Sequence, residues 1–237
     1  MKKPITILLA VCLSAASFAS QMDPFDSHVA DFRILTDKRV QSELGVTKNQ
    51  ILTMNKYADA NRARLQAYES ELKRQGKDLR TVNQNDPTVM KNYLELQQNV
   101  LSTLSPAQLR RLRELTLQRV GLRGMLDSMV ARRIGLSDSV LKKAREAFDE
   151  GNRKNNAISQ SVYNKVIEPY RSRQPKTQAE AQAMSEQVRK EYEAALSTHS
   201  AEIKQLATQT RKSFEAVVGT KPIAAYNVLK GKIFVPK

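Results

Sequence analysis

Two histidines and a few closely spaced carboxylates are the residues of this chain whose chemistry could reach beyond packing. His28 and His199 lie far apart, and neither has a second histidine at i+4, the spacing that lets one helix face grip a metal ion. His199 falls on an apolar stripe, where a packed imidazole is the commoner arrangement, and a metal-responsive role would rest on it alone. Glu69 with Glu71, and Glu191 with Glu193, offer carboxylates for acid–base work. At i, i+2 on a helix, however, such pairs point to different sides and read as solvated charge. The chain has no dinucleotide glycine fingerprint, no phosphate-loop Gly-Lys-Ser/Thr, no Gly-x-Ser-x-Gly elbow and no His-Glu-x-x-His helix. The expectation is a protein that is not an enzyme and uses neither cofactor nor metal.

Arginine is the chemistry that is concentrated. Between Ser105 and Arg133 stand Arg110, Arg111, Arg113, Arg119, Arg123, Arg132 and Arg133, opposed by Glu114 and Asp127. In a helix Arg110 and Arg113 share a face at i, i+3, and Arg119 and Arg123 at i, i+4. The planar guanidinium fork suits carboxylates and phosphates, and its stem covers apolar surface. Arg110, Arg113, Arg119, Arg123, Arg132 and Arg133 are therefore the candidates for binding anions or client proteins. A merely solvated helix face is the competing reading.

The rest of the chain supplies an address. Lys2 and Lys3 precede an apolar stretch from Ile5 to Ala16, and Ser17-Phe18-Ala19 then presents small residues where a signal peptidase reads them, so cleavage is expected after Ala19. The stretch falls short of the about 20 apolar residues of a spanning helix. Removing this leader takes Lys2 and Lys3 with it and lowers the formal charge from +15 to +13. A basic protein that is periplasmic or secreted meets anionic lipid headgroups, acidic wall polymers or acidic proteins, and export argues against nucleic acid. Cys12, the one cysteine, lies inside the leader, so the mature chain has no disulfide or thiolate site.

Few aromatics, no tryptophan and little glycine or proline exclude a sandwich or barrel and favour long helices. A helix-start pattern occurs four times: Val46-Thr47-Lys48-Asn49-Gln50, Leu104-Ser105-Pro106-Ala107-Gln108, Leu136-Ser137-Asp138-Ser139-Val140 and, much decayed, Gly219-Thr220-Lys221-Pro222-Ile223. The first two are capping boxes, in which the hydroxyl accepts the N–H three residues on and the glutamine returns to the cap's own N–H. Thr47, Gln50, Ser105, Gln108 and Ser137, with Asp86 before Pro87, are the expected caps. From Ile51 a helix runs to Gly76, its seam interrupted at Asn61, and a second begins after Asp86. A short helix is expected from Met125 to Ile134. Leu141 to Val166 makes one long stripe and Tyr192 to Val217 its return, with Pro169 and Pro175 bracketing a basic turn. Ala225, Val228, Leu229 and Phe234 are expected to close the core. The predicted fold is all-α, with elongated helical hairpins or a bundle built from two tandem copies of a cap, long helix, turn, long helix unit. Its expected divisions are a leader over 1–19, a first repeat over 20–124 and a second, extended one over 125–237.

The two capping boxes resemble the Leu-Thr-x-x-Gln motif of small periplasmic helical proteins, the Spy- and CpxP-like family. The resemblance covers the leader and first half, and the second half departs from it at Val140 and Ile223, where the motif wants glutamine. It implies helical hairpins that dimerise into a curved cradle whose basic, mildly apolar face holds unfolded clients without ATP. The functional expectation is an exported envelope protein, chaperone-like or stress-related, with unfolded or acidic proteins as partners and a homodimer as its assembly. Alternatives are a structural module in peripheral contact with anionic lipid or wall polymer, and a metal-responsive envelope sensor.

Overall fold

A computed structural model describes residues 23–77 and 86–235. The expected leader, its cleavage after Ala19 and Cys12 lie outside the described residues. The fold is all-α, with no strand among the described residues. The chain divides into two compact units. One takes in described residues up to His28 and Leu35–Arg110, the other Val29–Ile34 and residues from Arg111 onward. The division therefore passes through helix α5 (Pro106–Val120) and not near Gly124.

Unit one is organised by how its helix ends are satisfied. Following the short helix α1 (Pro24–Val29) and a 3-10 segment (Phe32–Thr36), Asp37 accepts the Arg39 N–H and starts α2 (Lys38–Glu43). Gly45 turns the chain with a left-handed φ of 60°. Thr47 and Gln50 then form the complete capping box of α3 (Lys48–Arg74), which closes at Gly76 (φ 71°) with Lys77 N–H donating to the Leu72 carbonyl, a Schellman-type stop. Asp86 accepts the N–H groups of Thr88 and Val89 to open α4 (Pro87–Leu101), and at the same end takes a hydrogen bond from the Tyr68 hydroxyl (3.0 Å). Ser105 and Gln108 repeat the box at the start of α5: the Ser105 N–H donates to Oε1 of Gln108 (2.9 Å), and the Gln108 N–H to Oγ of Ser105 (3.3 Å).

The two glutamines also meet each other. Nε2 of Gln50 donates to Oε1 of Gln108 (2.8 Å) and to the Thr103 carbonyl (2.7 Å). Nε2 of Gln108 donates to the Leu44 and Gly45 carbonyls (3.2 Å each) and faces Oε1 of Gln50 at 3.3 Å. Each side chain thus caps the start of its own helix and covers carbonyls at the end of the helix that precedes its partner. Four helix ends, those of α2, α3, α4 and α5, are joined by one amide pair. Between this clasp and the Tyr68–Asp86 bond, the α3–α4 seam is only thinly apolar. Asn61 and Asn92 are both buried in it, and Oδ1 of Asn61 has no hydrogen-bond partner.

In unit two the short helix expected from Met125 to Ile134 is α6 (Ser128–Arg133); Met125 and Leu126 belong instead to the 3-10 segment Gly121–Leu126, because Asp127 breaks the run by capping α6 through the N–H groups of Met129 and Val130. Gly135 (φ 77°) turns the chain, and Ser137 caps α7 (Asp138–Ile167) by accepting the Val140 N–H. Asp, Gly and hydroxyl cap recur here at an offset of ninety residues (37 to 127, 45 to 135, 47 to 137). Val140 has no amide with which to complete a box. The return stripe is two helices, α8 (Gln178–Thr198, capped by Thr177) and α9 (Ser200–Val218), because the chain breaks at His199. α7 packs chiefly on α9, where Phe148 meets Phe214 edge-on (centroids 5.0 Å apart).

Gly219 (φ 81°) leads into α10 (Thr220–Leu229). Thr220 makes no capping bond, so the fourth start pattern is not a cap: Thr220 is already the first helical residue. The expected closing residues are also displaced. Tyr226 is the buried one, donating to the Gly121 carbonyl (2.6 Å), whereas Val228 is 79% exposed.

The clasp and the seam each carry a stability prediction. Replacing either Gln50 or Gln108 by Ala costs about 1–3 kcal/mol by leaving helix-end groups unpaired. The double variant costs clearly less than the sum, because the two share partners; denaturant melts of all three forms check this, and strictly additive losses would contradict the clasp. Asn61→Leu, by contrast, raises stability by about 1 kcal/mol or more, since it removes an unsatisfied buried acceptor and adds apolar contact. An unchanged or lowered melting midpoint would refute it.

Candidate functional site

The expected arginine face is dispersed by the fold. Leu109, Leu112, Leu115 and Leu117 are all buried, so α5 is enclosed over most of its circumference, and Arg113 falls on the enclosed side. It is 7% exposed, and its Nη1 donates to the Leu229 carbonyl (2.9 Å), closing the last turn of α10. Arg113 is therefore a structural cation and no longer a candidate for client binding. Arg110 is exposed at the start of α5, in unit one. The Arg119–Arg123 spacing loses its expected geometry because α5 ends at Val120 and a 3-10 turn succeeds it, in which residues three apart, not four, align.

Arg119, Arg123, Arg132 and Arg133 are nevertheless all exposed on unit two. Arg132 and Arg133 occupy the last turn of α6, where positive charge complements the negative end of the helix dipole. Burial pushes the Asp31 carboxyl up, and Arg33 with Arg119 more than offsets it, so Asp31 stays ionised below the usual carboxylate range. Arg145, which sequence reasoning passed over, joins this end by donating to the Leu126 carbonyl (2.9 Å).

Unit two also carries an apolar groove that the sequence did not disclose. It holds about 590 Å³ and is lined by Leu122, Phe148, Ile203, Leu206 and Ile223, with the amides of Asn152, Asn155 and Asn227 among them. Its charged lining is Arg211, paired with Glu215 (2.7 Å), and Lys230, which lies over the Tyr226 ring (5.6 Å). Gly151 belongs to the same wall because a methyl group there would overlap Thr210 on α9. The only sequence hint of the groove was the in-phase stripe of α7, which did not say how far it would be covered. A second cleft of about 640 Å³ lies between α7 and α8, bounded by Tyr163 and Tyr192, whose rings stand 6.1 Å apart, and by polar residues such as Gln160 and Arg189.

The carboxylates considered for acid–base work are engaged elsewhere. Glu69 pairs with Lys73 (2.9 Å), Glu71 with Arg74, and Glu193 with Arg189 (3.0 Å). Glu191 accepts from the Tyr170 hydroxyl (2.7 Å), and that bond, with one from Gln187, holds its carboxyl below the usual range. Nδ1 of His199 faces Glu202 at 3.0 Å. Among the described residues no group of three or more His, Cys, Asp or Glu could hold a metal ion, and no helix is long and apolar enough to cross a membrane. What the arrangement offers is a half-apolar groove with Arg211 and Lys230 on long stems in its lining, and exposed arginines elsewhere on the same unit.

Comparison with known proteins returned no matching family model, no matching curated protein and no matching solved structure.

Proposed function

We propose that this chain is an exported cell-envelope protein that holds acidic or partly unfolded clients, without ATP, on a basic and half-apolar helical surface. The observation that carries the reading is one short piece of chain: Gly121 and Leu122 line the apolar groove of unit two, and Arg123 of the same 3-10 segment is exposed. Charge steers an acidic client to that end of the unit. The apolar floor then gains from covering surface that the client exposes when unfolded. The leader-like start of the chain and its net charge of +15 support the same address and partner class. Neither contact needs a nucleotide, since release requires only that the client fold and withdraw its apolar surface.

Light scattering from a chemically unfolded test protein checks the reading, with the chain from Ser20 to Lys237 added near equal molar ratio and no nucleotide. Suppression of scattering is expected, weaker at high salt because exposed charges are screened over roughly 10 Å at 0.1 M. Replacing Arg119, Arg123, Arg132 and Arg133 together by Gln should lower capture by about tenfold through lost steering. Absence of suppression at any ratio would remove the holding role.

A second reading rests on the same four arginines, which also suit an anionic lipid or wall polymer. It predicts salt-sensitive sedimentation with anionic vesicles or wall fragments and no effect on aggregation.

A further inference from the structure

The segment beyond α10 is bound to the rest of unit two almost wholly through its main chain. Gly231 turns it out of the helix with a left-handed φ of 61°, at a point where any side chain would run into the Glu114 carboxylate. α5 then reads successive backbone groups. Nη1 of Arg113 donates to the Leu229 carbonyl (2.9 Å), and Nη1 of Arg111 to that of Lys232 (2.7 Å). Nε2 of Gln118 donates to the carbonyls of Lys230 and Lys232 (2.7 Å each), while its Oε1 accepts the Phe234 N–H (2.9 Å). Arg111 is itself steadied by Glu114 (2.8 Å). Of its apolar side chains, Ile233 is 77% and Val235 74% exposed and Phe234 is half-buried. One glutamine amide that both donates to and accepts from the main chain pairs backbone groups as a neighbouring strand does, and beyond Gly231 it engages backbone rather than side-chain groups.

We propose that the α5 face formed by Arg111, Glu114 and Gln118 is a binding site for polypeptide main chain, occupied by the chain's own residues 230–235 and opened to another protein's unfolded segment when these are displaced. A folded protein has its backbone groups paired, whereas an unfolded one presents them in runs, so such a site separates unfolded from folded partners without reading sequence. Displacement is feasible because the segment buries little apolar surface and its hydrogen bonds exchange with water at small net gain. The site stands on the geometry alone; its use on clients rests on the holding role proposed above.

The test uses a fluorescent peptide with the sequence of residues 229–235, added in trans to three proteins. These are the chain from Ser20 to Lys237, the same chain with Phe234→Pro, which deletes the N–H that Gln118 accepts, and a chain ended at Gly231 with its helicity checked by circular dichroism. Binding read by anisotropy should tighten by about tenfold or more from the first to the altered proteins, as expected for losing one or two competing hydrogen bonds. Gln118→Leu should abolish the gain. A peptide with its other residues in shuffled order and the glycine kept in its place should bind as well, and one N-methylated at the phenylalanine amide should bind about tenfold less. Equal binding by intact and altered chains, indifference to Gln118, or loss of binding on shuffling would each overturn the site. If the shortened chain fails to fold, the Phe234→Pro protein carries the comparison. Aggregation suppression is read separately: peptide binding without suppression removes the holding role and leaves the site, and suppression without peptide binding does the reverse.

Discussion

A helix end leaves N–H and C=O groups without partners inside the helix, and in unit one four such ends are brought to the same place and satisfied by two side chains. Gln50 and Gln108 can do this because a glutamine amide carries both an acceptor and two donors. Oε1 serves the cap of its own helix while Nε2 reaches the carbonyls at the end of another. Glutamate would lack the donors and leucine would lack both. Once the clasp is made, the starts of α3 and α5 and the ends of α2 and α4 are fixed together, and the Tyr68–Asp86 bond needs only to close the far end of the α3–α4 hairpin. Polar constraint at both ends explains how the hairpin tolerates Asn61 and Asn92 inside its seam.

Unit two solves the same problem without that pair. Where Gln50 stands in the first case, Val140 stands in the second, and the end of α6 is closed locally instead, with the Gly135 N–H donating to the Arg132 carbonyl and the Leu136 N–H to that of Ala131. The ends of the 3-10 segment and of α10 are met by arginines reaching from other helices, Arg145 to Leu126 and Arg113 to Leu229. Arginine side chains are longer than glutamine and fix their targets at a greater distance, so the elements of unit two need not converge on one point.

Much of the helical plan was legible because capping is local. Thr47, Ser105, Asp86 and Ser137 declare themselves by residue type within a few positions of the groups they serve, and Gly76 and Gly135 mark the ends in the same way. The clasp was not legible, since its two halves are 58 residues apart and each already had a sufficient local role. The break at His199 was hidden because apolar spacing stays in phase across it. Arg113 was misplaced for a related reason: neighbours at i, i+3 define a face only when the opposite face is known to be covered, and α5 is covered nearly all round. The anchoring of residues 230–235 left only Gly231 as a mark, because main-chain recognition places little demand on the side chains recognised.

In the far arm of unit two, a helix stands with little apolar surface to support it. α8 spans 21 residues and buries none of them. Its order comes from the Thr177 cap, to which the Glu180 N–H donates, from the Tyr170–Glu191 bond, and from exposed ion pairs such as Arg189–Glu193 and Lys190–Glu186. Exposed pairs of this kind contribute a few tenths of a kcal/mol each and weaken with salt. A helix held in this way opens more readily than α9, which buries Phe214 and Val218. The α7–α8 cleft therefore sits on the softer part of the unit, and the groove beside Phe148 on the firmer part. The gradient separates two roles in the fold: the firm groove keeps its apolar floor, and the α8 arm can adjust without disturbing the core that Phe148 and Phe214 define.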